Sequence, residues 1–161
     1  MAHKLKLNRI NCNNSLEILP VNPWSFEVDL GEQPEVSIER LLEIVREVSI
    51  RNSEEWPSDD DWRAILPVWL KTAIPELSKE ETDRLLEKTP KEKWDSLPWE
   101  FLSWLDALRD RGWEWWGYKM IENSAATIVL HIARVPERID SFRELLRACG
   151  IEILSESYMD F

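Results

Sequence analysis

The sequence predicts a single α+β domain in which strands from both ends of the chain form one mostly antiparallel sheet against a helical middle. Three observations carry this. Polar and apolar residues alternate within residues 1–35 and again within 112–157, the period of a half-buried strand. Across residues 36–111 the apolar positions instead recur at spacings of three and four, the period of an amphipathic helix. Strand-rich and helix-rich segments that are separated in this way favour α+β over a parallel α/β sheet. Third, the chain holds ten tryptophans in 161 residues. A buried indole removes roughly 150–250 Å² from water, so a core can form here without a disulfide or metal staple.

In the first zone, residues 4–10, 16–19 and 24–30 read as strands, punctuated by Pro20, Pro23 and Gly31. Asn11, Asn13 and Asn14 lie between the first two, where their side chains can bond local backbone and support a turn. The middle zone opens with Ile38, Leu41, Leu42, Val45 and Val48 on one helical face. Asp59, Asp60 and Asp61 then precede Trp62, Ile65, Leu66 and Trp69, carboxylates placed to complement the positive end of a helix. Pro67 predicts that this helix kinks or stops near Leu66. Ser78 with Glu81 forms a capping-box signature, and Pro98 marks the start of a helix carrying Phe101, Leu102, Leu105 and Leu108 that Gly112 closes.

The third zone predicts a ββαβ unit: a strand at 113–121, a turn at 122–124, a strand at 125–133, a helix at 136–148 and a strand at 151–154. Ile139, Phe142, Leu145 and Leu146 give the helix its apolar face, and Gly150 follows its end. Gly117 inside the first strand suggests a bulge or a close backbone approach. Strict alternation places Trp113, Trp115 and Lys119 on one face of that strand and Trp116, Tyr118 and Met120 on the other. Apolar bulk on both faces predicts a sheet covered twice, with the middle helices on the second side.

A formal net charge of −11 works against binding a nucleic-acid backbone, whose affinity comes from clustered Lys and Arg. Such a field attracts cationic proteins and speeds their encounter, although acidity also serves solubility alone. Cys12 and Cys149 have no metal or redox spacing and read as reduced thiols. No apolar run matches a secretion signal or a membrane span, so the expected compartment is the cytoplasm. Four glycines leave no phosphate-cradling loop, and no Gly-x-Ser-x-Gly elbow occurs, so no cofactor, metal or catalytic residue is assigned.

Two places on the chain carry the functional expectations. Glu54, Glu55, Asp59, Asp60 and Asp61 surround Trp56 and Pro57. They lack the alternating ligands and glycine of a calcium loop, but Trp56 with Asp59, Asp60 and Asp61 has the make-up of a patch that anchors in a partner and pairs with its Arg or Lys. The favoured reading is therefore a non-enzymatic, acidic, intracellular protein-binding module, in its most concrete form an inhibitor or immunity-type protein that neutralises a basic partner. The alternative is a small-molecule binder or enzyme that uses an aromatic sheet face around Trp113, Trp115 and His131, with His131 or Glu114 as the polar group. In a third reading, a homodimer covers excess indole surface with a second copy of the chain.

Overall fold

The structure is a computed structural model that describes residues 16, 18–51, 55–97, 99–133 and 138–158. Strand β1 (Pro23–Asp29) leads into helix α1 (Pro34–Ser49). The helical middle continues with α2 (Asp59–Ile65), α3 (Val68–Ala73), α4 (Lys79–Lys88), a 3-10 turn (Lys91–Ser96) and α5 (Phe101–Arg109). Hairpin β2 (Trp113–Glu122) and β3 (Ala125–Ile132), helix α6 (Asp140–Ala148) and strand β4 (Glu152–Tyr158) complete it. The four strands form one antiparallel sheet in the order β2-β3-β1-β4. The expected α+β class holds, and β1 from the first zone sits in the middle of the sheet, bridging the two ends of the chain.

Most boundaries follow the local chemistry. Leu66 is extended before Pro67, which separates α2 from α3 as the proline requires. Capping boxes start α2 at Ser58 and α4 at Ser78. Glu100 caps α5, which begins at Phe101, and α6 begins at Asp140, both later than the periodicity suggests. Strand β4 is longer than the expected 151–154 and pairs with β1, not with the hairpin. Leu16, Ile18 and Leu19 are not in a strand. The expected strand at 4–10, the asparagine turn and Cys12 lie outside the described residues.

One apolar layer holds the sheet and helices together. Phe26 and Val28 of β1 stand beside Ile128 and Ala126 of β3, and Trp115 and Tyr118 of β2 continue the row. These join Leu41, Ile44, Trp62, Leu70, Trp104 and Phe142 in a single buried cluster. Phe142 is its hub, with ring centres 4.9 Å from Trp113, 5.4 Å from Phe26 and 6.3 Å from Trp115. Helix α4 contributes no buried residue and packs at the periphery.

Two expectations about the sheet need correction. Trp116 is the extra residue of a β-bulge between Trp115 and Gly117. A bulge shifts the alternation by one residue, so Tyr118 and Met120 join Trp113 and Trp115 in pairing with the helix-side residues of β3, and Trp116 alone of the expected second-face set is left out of that row. The middle helices accordingly pack on the same side as α6. On the opposite side, Val129 is buried outside the main cluster, and Trp116 Nε1 donates to the Ile18 carbonyl at 2.8 Å.

Candidate functional site

The acidic run Asp59–Asp61 is built into the first turn of α2. Ser58 Oγ accepts from the Asp61 amide at 3.1 Å, and the Asp61 carboxylate accepts from the Ser58 amide at 3.4 Å. Asp61 is thus partly spent as a cap. Asp60 accepts from Arg63 Nη1 at 2.6 Å, while Arg63 turns Nε and Nη2 onto Glu76 at 2.9 and 2.6 Å. That hydrogen-bonded guanidinium holds the Glu76 carboxyl below the usual range. Asp59 and Asp60 face solvent, the Asp60 side chain being 92 % exposed.

Trp56 is half-buried and not a free-standing anchor. Its ring centre lies 4.9 Å from that of Trp62, which is fully buried and whose Nε1 has no hydrogen-bond partner among the described residues. Two guanidinium groups complete the cluster. Arg51 lies 5.2 Å from the Trp62 ring and is tied to the Glu47 carboxylate at 2.7 Å. Arg111, in the turn between α5 and β2, lies 5.9 Å from the Trp56 ring and 5.7 Å from Trp113. Desolvation draws the Arg111 pKa below the ordinary guanidinium value, with the charge of Glu114 opposing the shift. Indoles stacked with cations gain roughly 0.5–2 kcal/mol each, the most where water is excluded.

The alternative set does not converge. Trp113 and Trp115 are 3 % and 4 % exposed beneath the helices, whereas His131 pairs across the hairpin with Glu114 on the other face. His131 Nδ1 donates to the Val21 carbonyl, and Glu114 is exposed despite its tryptophan neighbours. Two clefts flank Trp99. One of 280 Å³ is lined chiefly by Leu85, Leu86, Trp94 and Leu97, and one of 260 Å³ by Asp110, Arg138, Asp140 and Ser141. Both are slightly smaller than the ~300–1,000 Å³ usual for ligand pockets. Among the described residues, no group of three or more His, Cys, Asp or Glu is placed to hold a metal ion, and no helix is long and apolar enough to cross a membrane.

No protein-family pattern, curated protein or solved structure matches this chain. The site therefore rests on its own geometry. Sequence reasoning located Trp56 and the three aspartates and missed Arg111 and Arg51, which approach the indoles from the α5–β2 turn and the end of α1. The only local signal was an arginine next to Gly112 and Trp113, too common to single out.

Proposed function

We propose that this chain is a non-enzymatic, acidic protein-binding module that engages a basic partner through the start of α2, in its most concrete form an inhibitor or immunity-type protein. What supports the reading is the presentation of Asp59 and Asp60: both are exposed on a helix start fixed by a capping box, so their charge is held in place before a partner arrives. Preorganisation of this kind reduces the ordering cost of association. Trp56, pinned against Trp62, supplies the apolar ground beside them. Carboxylates in this position steer a cationic surface and pair with its Arg or Lys.

The test is affinity capture from the source cell lysate at low and high salt, with the native chain and a variant carrying Trp56→Ala, Asp59→Lys, Asp60→Lys and Asp61→Lys. The expected result is a specific basic protein retained by the native chain at low salt, weakened at high salt and lost with the variant. Equal retention by a folded variant would remove this patch from the account.

A further inference from the structure

We infer that Arg111 is a receptor for one carboxylate group, held by its Nε/Nη2 edge between Trp56 and Trp113. The strongest argument comes from the other arginines. Arg63 gives Nε and Nη2 to Glu76 at 2.9 and 2.6 Å, Arg143 gives the same edge to Glu156 at 3.1 and 2.8 Å, and Arg147 gives it to Glu144 at 2.9 and 2.5 Å. Two parallel N–H groups can meet the two oxygens of a carboxylate, as Arg63 does with Glu76, or converge on one of them, as Arg147 does on Glu144 Oε1; in all three pairs the same edge meets a carboxylate. Arg111 departs from the pattern. Its Nη1 donates to the Leu108 carbonyl at 3.0 Å, and its Nε/Nη2 edge makes neither a hydrogen bond nor an ion pair with any described residue.

The surroundings make that departure costly unless a ligand is taken. A partly desolvated charge ordinarily has a counter-charge in contact, and this chain has 31 acidic residues against 20 basic ones from which to draw it. The two indole faces attract the cation but accept no hydrogen bond in the guanidinium plane. The edge is also reachable. Trp62 Nε1 and Trp115 Nε1 are the sealed side-chain polar atoms without partners among the described residues, and the Arg111 nitrogens are not among them.

A carboxylate suits the site better than a phosphate. The net charge of −11 and the nearby Glu114 penalise a dianion more than a monoanion, and the edge geometry is the one this chain already uses three times for carboxylates. The group can come from a small organic acid or from an Asp, Glu or C-terminus of a protein. The inference does not depend on the basic-partner reading, because it concerns a different side chain and the opposite charge.

The test is titration of the full chain with sodium acetate, sodium benzoate, sodium phosphate and sodium chloride at matched ionic strength, read from the arginine Nε–Hε resonances. The Arg111 signal is assigned by its loss in Arg111→Lys. Saturable movement of that signal with acetate and benzoate at millimolar concentrations, at least several-fold beyond chloride and preserved in Asp59→Asn/Asp60→Asn, is the expected result. Tighter saturation by benzoate favours a small aryl acid, and equal response to both favours a protein carboxylate. No movement beyond chloride, or saturation by phosphate at lower concentration than by acetate, overturns the proposal. Should Arg111→Lys fail to fold, the signal is assigned in the native chain by its nuclear Overhauser contacts to the indole protons of Trp56 and Trp113, and the native titration then decides the matter.

Discussion

Ser141 at the start of α6 joins two tryptophans of the core. Its Oγ accepts from Trp113 Nε1 at 3.0 Å and its backbone carbonyl accepts from Trp104 Nε1 at 3.0 Å. Ser141→Ala removes the first acceptor and leaves the second in place. Ser141 and Trp113 are each 3 % exposed, so the freed indole N–H has no ready route to water. A buried donor left unsatisfied costs about 1–3 kcal/mol, and the better helix propensity of alanine returns about 0.5 kcal/mol. The net expectation is a loss of about 0.5–2.5 kcal/mol. With a urea dependence of about 2 kcal/mol/M, the unfolding midpoint falls by roughly 0.25–1.25 M. The decisive comparison places Ser141→Ala in a Trp113→Phe background, where no indole donor remains to be stranded. There only the propensity gain of about 0.5 kcal/mol remains, so the substitution is expected to be neutral to slightly stabilising, and the coupling energy in the double-mutant cycle is about 1–3 kcal/mol. Equal cost in both backgrounds, by urea unfolding followed by fluorescence, would refute the assignment of Ser141 as the acceptor that holds Trp113.

Trp115 Nε1 is sealed without a partner among the described residues, so Trp115→Phe sheds an unsatisfied donor while Trp113→Phe breaks a bond. Urea midpoints should show the first less destabilising than the second by about 1–3 kcal/mol. Burial pushes the Cys149 thiol up to about 12, so in a Cys12→Ser background the native chain should not react with a disulfide reagent at pH 8, whereas the unfolded chain releases one thiol. The folded pKa is raised, so the stability Cys149 contributes is intact below pH 9 and declines above it by about 1.4 kcal/mol per pH unit until about pH 12. Ser78→Ala removes a capping interaction worth about 1 kcal/mol from a helix with no buried residue; amide exchange should accelerate across α4 while the global midpoint holds. By carboxyl NMR, Glu76 should titrate below the ordinary glutamate range and return to it in Arg63→Gln.

Features set within one turn or one strand were legible from the sequence. The capping box at Ser78, the interruption at Pro67 and the hairpin after Trp113 each depend on neighbouring residues, and each stands where the chain predicts it; the box at Ser58 does not stand out in this way, because Asp61 in place of Glu or Gln departs from the usual pattern. Alternation along β3 separates Ile128 and Leu130, which join the main cluster, from Val129 and His131, which do not. Trp116 shows where such reading stops. Gly117 hinted at a bulge, but whether the ladder gains a residue is settled by what packs above and below it, and that one residue moves Tyr118 and Met120 to the side of Trp115. The candidate site was half legible for the same reason. Asp59–Asp61 are contiguous and declare themselves, while Arg111 reaches Trp56 across about three-quarters of the middle zone and has no local pattern.

The arginines explain how so many tryptophans are accommodated beside so much negative charge. Indoles too large to bury completely leave a ring face or edge at the boundary, and a planar guanidinium covers such a face better than a hydrated ammonium does. Arg40 lies 5.0 Å from Trp69, Arg143 lies 5.9 Å from Trp24, and Arg111 covers Trp56 from the α5–β2 turn. Arg63, Arg143 and Arg147 also lie flat against carboxylates. Cations held this way sit close to the molecular surface, whereas Asp59 and Asp60 project from it. The first groups presented to solvent at α2 are therefore carboxylates, and their field is strengthened by the excess of acids over bases in the chain. Arg111 is the exception: it covers an indole with its face and keeps its Nε/Nη2 edge unengaged by the described residues. Groups of opposite charge are thus assigned to the surroundings of Trp56, the projecting aspartates in one proposal and the edge of a stacked guanidinium in the other.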